Sequence, residues 1–410
     1  VGPGIIGAFP AIGALPVIRS TGNSNMLLLS SAAAITTADW RIMDLEFDGL
    51  GGANATAIIG AGSMSQITLL RLRLHDMKSG FQLSHTTLDA LNSGGSPGQT
   101  IWDQVAVVDM NIQRLVGAAG GNGLFLTAHR LAILGNFIED STAAEHNIRV
   151  QYAKKAVIQA NDLGLPAATK TVLTLRAVNF GTGGVTGDNI TEQVVIQGNI
   201  FRGGLADLPI SIQPSNPGDD QRIRNVIFEG NLLRSGPGAQ VGLASAADEI
   251  SARNNIFILT GGVAYNCMSF GNRGGEPAHS NIRIYNNTCF SNDLGVGAPP
   301  PPLRVVFLDA TSSNITISNN LGYAPNSITA PVLLLNLGSA GVTILGNSSD
   351  AQILNTSPNF VNAGGTTAAD YAVTAGSYAI NGGVTVPVFR DIFGNARPMG
   401  AGIDIGATEQ

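Results

Sequence analysis

A short apolar alternation that ends in Asn or Asp recurs about every 30 residues along most of this 410-residue chain. Examples are LAILGNFIED, VVIQGNIFRGG, IRIYNNTCF and ITISNNLGY. A repeat of roughly 20 to 50 residues is typical of solenoid proteins, in which each repeat buries its apolar face by stacking on its neighbours. The residues taken as equivalent are Asp48, Asp76, Asp109, Asn136, Asn161, Asn199, Asn231, Asn255, Asn287, Asn320 and Asn347.

Each repeat has the character of β-strands. Apolar and polar residues alternate with a period of two, as half-buried strands require, and a second run such as GLFLTAH, NIRVQY or VLTLRA follows the marker residue. Two or three short strands per repeat predict an all-β parallel β-helix of about 11–12 coils. The marker Asn is expected to turn a left-handed corner and to hydrogen-bond to the Asn of the next coil. Predicted inward-facing positions include Val150, Leu175, Ile212, Leu243 and Phe307.

Composition agrees with a folded repeat protein and argues against several classes. Charged residues are 12% and hydrophobic residues 44% of the chain, so it buries a large core instead of remaining disordered. The chain contains no run of about 18 apolar residues, the length that a membrane-spanning helix needs. A net charge of −6 argues against general nucleic-acid binding. The two cysteines, Cys267 and Cys289, either pair or are separate buried side chains.

The C-terminal stretch DIFGNARPMGAGIDIGATE, from Asp391 to Glu409, closely resembles an ending frequent in bacterial β-helix proteins. Together with the Asn-ended coils, it resembles secreted right-handed parallel β-helix proteins of the pectate-lyase-like superfold. The resemblance implies a β-helix over residues 1–356, a capping segment over 357–410 and a secreted or cell-surface bacterial protein. Because the opening VGPGIIGAFP is not signal-like, we expect that a signal was removed or that the first coils belong to a longer precursor.

The stretch from Glu145 to Ala177 is basic in a chain that is otherwise sparing with charge. It holds three of the four lysines: Lys154, Lys155 and Lys170. Aligning the coils on their inward residues places Arg149 and Arg176 on one outward face, one coil apart, with Glu145 and Lys170 stacked beside them. One outward column is predicted to contain Gln82, Phe125, Arg149, Thr174 and Ser211. The next is predicted to contain Ser84, Thr127, Gln151, Arg176 and Gln213.

A basic face of this kind suits an acidic polysaccharide. A lyase that acts on uronate sugars removes the C5 proton, and it needs a cation to stabilise the enolate and a base to accept the proton. The predicted function is therefore β-elimination of a uronate-containing polysaccharide. The candidate catalytic residues are Arg149 and Arg176 as carboxylate clamps, and His146, Tyr152, Lys155 and Lys170 as the base. The candidate substrate-binding residues are Gln151, Lys154, Gln213, Asn216 and Arg222.

Other functions remain open from the residues alone. An exported adhesive or structural rod that self-associates fits the low charge and the positive mean hydropathy, and the basic residues would then be solubilising surface charges. A glycoside hydrolase needs paired carboxylates, for which Asp219 and Asp220 are candidates. The same two residues are also candidate ligands for a calcium ion. The histidines near predicted corners, His75, His85 and His129, are interpreted as surface residues.

Overall fold

The chain folds as a parallel β-helix, described here from a computed structural model. The structure describes residues 3–8, 13–22, 24–30, 37–61, 64–83, 102–117, 121–141, 145–167, 170–178, 189–203, 209–215, 221–236, 241–260, 266–271, 278–292, 302–327, 331–347 and 356–410. In this part of the chain, the single helix is a 3-10 turn, Ala368–Tyr371. No helix there has the length and apolar character needed to cross a membrane.

The strands are short and follow one another around the coils. The first fifteen in the described residues are β1 (Gly4–Gly7), β2 (Val17–Arg19), β3 (Asn25–Ser30), β4 (Thr37–Met43), β5 (Glu46–Ala61), β6 (Met64–Leu70), β7 (Arg73–Leu83), β8 (Asp103–Val108), β9 (Asn111–Leu115), β10 (Leu124–Leu134), β11 (Phe137–Ser141), β12 (Ile148–Gln159), β13 (Asp162–Gly164), β14 (Leu173–Leu175) and β15 (Ile190–Gln197). The next fifteen are β16 (Ile200–Arg202), β17 (Ile210–Ile212), β18 (Arg222–Glu229), β19 (Leu232–Arg234), β20 (Val241–Ser245), β21 (Asp248–Arg253), β22 (Ile256–Leu259), β23 (Asn266–Phe270), β24 (His279–Tyr285), β25 (Thr288–Ser291), β26 (Arg304–Leu308), β27 (Ser312–Ser318), β28 (Leu321–Tyr323), β29 (Val332–Asn336) and β30 (Ala340–Leu345).

Two compact units divide the chain, Val1–Val194 with Pro214–Ile223 and Val195–Gln213 with Arg224–Gln410. In each unit, successive coils contribute parallel strands to three sheets. In the first unit, the first sheet includes β4, β6 and β8, the second runs through β2, β5, β7, β9, β11 and β13, and the third includes β3, the ends of β5 and β7, the starts of β10 and β12, and β14. In the second unit, the sheets are β18–β21–β24–β27–β30, β16–β19–β22–β25–β28 and β17–β20–β23–β26–β29.

Asn side chains form a ladder at the corner between the first and second sheets, which confirms the predicted stacking. The backbone N–H and Nδ2 of Asn231 both donate to Oδ1 of Asn255, at 3.0 Å each. Nδ2 of Asn231 also donates to the carbonyl of Ile196 in the preceding coil, at 2.9 Å. Each amide therefore connects coils on both sides and satisfies polar groups that are buried. The second unit's ladder consists of Asn199, Asn231, Asn255, Asn287, Asn320 and Asn347.

The ladder does not include the three aspartates that sequence spacing assigned to it. In the first unit, Asn136 and Asn161 are ladder partners, at 2.8 Å between Nδ2 and Oδ1, but the equivalent earlier positions are the buried apolar residues Leu45, Leu72 and Met110. The assignment of Asp48, Asp76 and Asp109 was therefore wrong. The left-handed corner residue lies directly before the ladder position. It is Asp44, Arg71, Asp109, Gly135 or Ala160 in the first unit, all with φ between 50° and 66°, so Asp109 does turn the corner as predicted although its side chain is not in the ladder.

Inward side chains form a continuous apolar core within each unit. Val150, Leu175, Ile212 and Leu243 are fully buried, as predicted. Phe307 is not, because Val306 and Leu308 are the inward residues of β26 and the alternation turns Phe307 outward. In the second unit, the rings of Phe201, Phe228 and Phe257 stack at centroid distances of 6.2 and 6.5 Å. Cys267 and Cys289, both fully buried, form a disulfide, which settles the alternative left open by the sequence.

The motif residues of the C-terminal segment hold that segment together. The side chains of Arg397 and Glu409 form an ion pair with an N–O distance of 2.5 Å and no exposed surface. Nη2 of Arg397 also donates to the carbonyl of Gly406 at 2.8 Å and to Oδ1 of Asn254 at 3.3 Å. The Asp391 carboxylate accepts the backbone N–H of Glu409 at 3.0 Å. These contacts hold the segment in a compact fold, the C-terminal knot, and attach it to Asn254, a corner residue of the coils.

The same segment covers the outer side of the second sheet in its unit. Outward residues of β19, β22 and β25 are apolar there and pack against it. The apolar contact cluster contains Leu232, Ile256, Ile258, Phe290, Tyr371 and Ala407. By contrast, β30 in the last described coil is largely exposed. The C-terminal segment therefore packs on the side of the coils, where it buries apolar surface that a β-helix strand would otherwise present to water.

We expect Asn255→Leu to lower the free energy of unfolding by about 2–4 kcal/mol, because it leaves buried donors and acceptors of the neighbouring coils without partners. Urea unfolding measures the change. Asn326→Ala is the control, since its side chain is exposed and bonded to another exposed Asn, and we expect it to change stability by less than about 0.5 kcal/mol. Equal effects of the two changes would contradict a structural role for the ladder.

We expect Arg397→Ala to cost about 3–5 kcal/mol, because Glu409 is left as a buried, uncompensated charge. Limited proteolysis should then cut within residues 356–410 at protease concentrations that leave the unmodified protein intact. Arg390→Ala is the matched control in the same segment, since this exposed side chain bonds only a turn carbonyl among its described contacts. Resistance of Arg397→Ala equal to that of the control would show that the ion pair does not hold the segment.

Candidate functional site

The basic cluster predicted from the sequence lies on the third sheet of the first unit. Register aligns Phe125, Arg149 and Thr174 in consecutive coils, as predicted. The guanidinium carbon of Arg149 lies 5.4 Å from the centre of the Phe125 ring, a cation–π distance. Nε of Arg149 donates to Oε1 of Gln151 at 2.8 Å, and Nε2 of Gln151 donates to Oγ of Ser215 at 3.1 Å. The Arg149 head group is thus held in one orientation on the sheet.

Glu145 is the carboxylate that the cations of this cluster share. Its Oε1 lies 3.4 Å from Nζ of Lys170, and its Oε2 lies 3.9 Å from Nη1 of Arg149. The predicted stacking of Glu145 on Lys170 in consecutive coils is therefore confirmed. Oε2 also lies 3.7 Å from Nε2 of His146. All these side chains are partly exposed except His146, so the head groups of the cations remain reachable from solvent.

His146 is buried beneath the cluster and is uncharged. Its Nδ1 accepts the backbone N–H of Thr171 at 3.0 Å, so the proton of the neutral ring is on Nε2, facing Glu145. Burial, followed by the charges of Arg149, Arg176 and Lys170, lowers the pKa of His146 to about 3. Because its acceptor nitrogen is already occupied, His146 is poorly placed to be a general base.

Several cations lie close together in this cluster. Three of them, Arg149, Arg176 and Lys170, act on His146, and Glu145 contacts Arg149 and Lys170. Burial also lowers the pKa of the Arg149 guanidinium from its usual value, which reflects the cost of removing this cation from water. A group of partly exposed cations is an environment that favours a bound anion.

The remaining lysines and Tyr152 occupy the later part of β12. A bulge places Tyr152, and not Gln151, opposite Thr127, so the predicted column through Thr127 and Gln151 was wrong. Tyr152 is fully buried, which removes its hydroxyl from solvent. Nζ of Lys154 lies 3.4 Å from Glu192 and 5.4 Å from the centre of the Tyr152 ring. Lys155 is exposed and pairs in register with Arg130.

The other predicted binding residues are not brought into this cluster by the described contacts. Gln213 is buried just after β17, in the other unit. Arg222 begins β18, where its backbone N–H donates to the carbonyl of Asn189 at 3.2 Å. Asn216, Asp219 and Asp220 lie outside the described residues, and with them the calcium and paired-carboxylate hypotheses.

A second cluster of titratable side chains was missed by the sequence reasoning. Asp48, His75 and Asp76 bring one potential metal-ligand atom each within 4.8 Å of one another on the second sheet. Their sequence signal was present in EFD and RLHD, two polar-rich stretches one coil apart. It was not recognised because Asp48 and Asp76 had been assigned to the ladder and His75 to the surface.

The buried His146 predicts a pH-dependent stability. Its pKa is about 3 when folded against 6.5 as the ordinary value, so the unfolded chain binds the proton first as the pH falls. The stability contributed by the neutral ring is present above pH 6.5 and is lost between pH 6.5 and about 3. We expect urea unfolding between pH 7 and 4 to show a shallower pH dependence for His146→Gln, by up to about 1.4 kcal/mol per pH unit.

His129→Gln is the control for that measurement, since His129 is partly exposed on the same unit. It should leave the pH dependence nearly unchanged. A pH dependence of His146→Gln that matches the unmodified protein would mean that folding does not shift the pKa of His146.

Comparison with known proteins finds solved structures that share little sequence with this chain. No protein-family model matches the sequence, and no curated protein is similar to it. Solved structures that match include pectate lyase Pel9A, with a TM-score of 0.47 and 11% identity over 98% of each chain. The Dettilon tailspike protein (gp208) matches with a TM-score of 0.45 and 13% identity over 80% of this chain. The present chain spans 56% of that tailspike. At such low identity and TM-score, neither match bears on the activity.

Proposed function

We propose that this protein is a carbohydrate-active β-helix that cleaves a uronate-containing polysaccharide by β-elimination. The observation that carries the proposal is the group of cations around His146, namely Arg149, Arg176 and Lys170, two of which contact the carboxylate of Glu145. A uronate carboxylate would bind to these cations. The guanidinium fork of Arg149 is positioned by Gln151 and can bind a carboxylate through two parallel hydrogen bonds.

In this proposal, the arginines stabilise the charge that develops as the reaction proceeds. Removal of the C5 proton places negative charge on the uronate carboxylate, and cations held beside it lower the energy of that state. Electrons from the C–H bond form the C4–C5 double bond, and the O4 leaving group departs with a proton. Binding the carboxylate before the reaction also makes the C5 proton easier to remove, since the arginines already balance the negative charge of the substrate.

Lys170 is the best placed of the four candidate bases. It is partly exposed, belongs to the cation cluster and lies 3.4 Å from Glu145, which fixes its position. An uncharged Lys170 would accept the C5 proton directly. Tyr152 is buried, His146 already uses its acceptor nitrogen, and Lys155 projects from another part of β12. Roles are thus assigned as Arg149 and Arg176 for the carboxylate and Lys170 for the proton.

An extracellular location is part of the same proposal. The Cys267–Cys289 disulfide is of a kind that persists in oxidising compartments. Polysaccharide substrates are met outside the cell or at its surface. The net charge of −6 makes the cluster a local positive feature on an acidic protein, which favours a bound anionic glycan over unspecific attraction of nucleic acid.

A panel of uronate polysaccharides, monitored by the ultraviolet absorbance of unsaturated products, tests the proposal. Arg149→Ala and Lys170→Gln should each lower kcat/KM by about a hundredfold or more, as expected for removing a group that acts in the transition state. Arg41→Ala is the matched control, since Arg41 is an exposed arginine on the first sheet and pairs with Asp39. Its activity should equal that of the unmodified protein, and all variants should keep the same thermal midpoint.

Three outcomes would contradict β-elimination at this site. Activity that survives both substitutions would place the reaction elsewhere. New reducing ends without ultraviolet absorbance would indicate hydrolysis by paired carboxylates. Saturable glycan binding without any product, together with filaments in electron microscopy, would favour the adhesive rod.

A further inference from the structure

The second sheet of the first unit carries a compact polar cluster that the polysaccharide site does not use. Asp48 on β5 pairs in register with His75 on β7, so the two side chains project from neighbouring coils on the same side of the sheet. Nδ1 of His75 lies 2.7 Å from Oδ2 of Asp76 and 3.8 Å from Oδ1 of Asp48. His75 is 8% exposed, so its ring is within the cluster and not on its rim.

Backbone geometry explains why two consecutive residues, His75 and Asp76, belong to one cluster. Side chains of adjacent strand residues normally point to opposite faces. Asp76 has φ of 55°, and this left-handed conformation redirects its carboxylate toward the His75 ring. Gly49 follows Asp48 in the neighbouring coil, where a Cβ would lie 2.4 Å from the carbonyl of Asp76. The close approach of the two coils therefore depends on a glycine at this position.

The ring of His75 has a carboxylate on each of its nitrogens. Nε2 lies 3.0 Å from Oε1 of Glu46, while Nδ1 faces Asp76 and Asp48. A neutral imidazole has one N–H, which can donate to one side alone. With that proton on Nε2 and donated to Glu46, the Nδ1 lone pair faces carboxylate oxygens. In that tautomer a metal ion can bind between Nδ1 of His75 and the oxygens of Asp76 and Asp48.

The surroundings supply the outer partner that a metal-bound histidine needs. Metal-bound His commonly donates its other N–H to a carboxylate, which fixes the ring and makes the free nitrogen more basic. Glu46 supplies that partner for His75. Arg114 holds both oxygens of Asp76, at 2.8 and 2.7 Å, and keeps that carboxylate in one orientation.

We propose that Asp48, His75 and Asp76 bind a divalent transition-metal ion of the zinc type. Nδ1 of His75 and one oxygen of each aspartate supply three ligands, whose atoms lie within 4.8 Å of one another and would move closer together to share one ion. A nitrogen ligand favours zinc over calcium, which prefers an all-oxygen site. Three protein ligands leave a fourth position for water or an external ligand. The ion also joins two coils, since Asp48 and His75 lie on paired strands.

Isothermal titration of chelator-treated protein with zinc chloride at pH 7 tests the site. We expect one ion per chain and a thermal midpoint that rises with zinc and falls again with a chelator. Glu46→Gln should weaken the Kd by about 10–100-fold, the usual effect of removing an outer partner of a metal ligand. His75→Gln and Asp48→Asn, which remove ligands, should weaken it further. Calcium chloride should produce no saturable heat.

His129→Gln is the control histidine of the same unit and should leave the zinc Kd unchanged. Absence of saturable zinc binding in the unmodified protein would overturn the proposal and assign a proton, as imidazolium, to the position between His75 and the aspartates. An unchanged Kd in His75→Gln would overturn it as well, by placing the bound zinc elsewhere. Both readouts are independent of polysaccharide cleavage, so either proposal can fail alone.

Discussion

Hydrogen bonding between successive coils, at the corner occupied by the ladder asparagines, sets the register on which the other features depend. Strand side chains alternate with a period of two, so a slip of one residue would turn an entire coil inside out. An amide such as that of Asn255, bonded to the coils before and after it, opposes such a slip at every turn. Outward columns are then fixed as well. This is why Glu145 meets Lys170, although the two are separated by more than twenty residues of sequence. In the earlier coils, where Leu45 and Leu72 occupy the corner, backbone hydrogen bonds fix the register that brings Asp48 to His75.

The outer surface of the second sheet differs between the two units, although the inner surface is apolar in both. In the first unit, outward positions carry Glu46, Asp48 and His75. In the second, they carry Ile256, Ile258 and Phe290 and are covered by the C-terminal segment. Core packing restricts inward residues alone, so outward residues can change from coil to coil without disturbing the fold. A β-helix can therefore carry chemically unrelated surfaces on one sheet.

Sequence reasoning was most successful where a local pattern and a long-range contact coincide. The ladder from Asn136 onward, the alternating core positions and the Glu145–Lys170 stack all follow from a regular coil length. It was wrong where the coil length varies or the strand is irregular. In the earlier coils, the ladder position holds the apolar residues Leu45, Leu72 and Met110 in place of Asn. Aspartates nearby were assigned to the ladder because Asp also tolerates a left-handed corner. The bulge at Gln151 and the burial of His146 depend on contacts with other coils, which no single segment reveals.

The position of the C-terminal knot has a consequence for how the chain matures. Its partners, Asn254, Asn286 and the apolar residues around Phe290, are synthesised more than a hundred residues before Arg397 and Glu409. Until residues 391–409 have been synthesised, the coils that they cover present an exposed apolar strip. Exposed apolar surface of this kind promotes aggregation and proteolysis. Residues 391–409 therefore protect apolar surface that was synthesised much earlier.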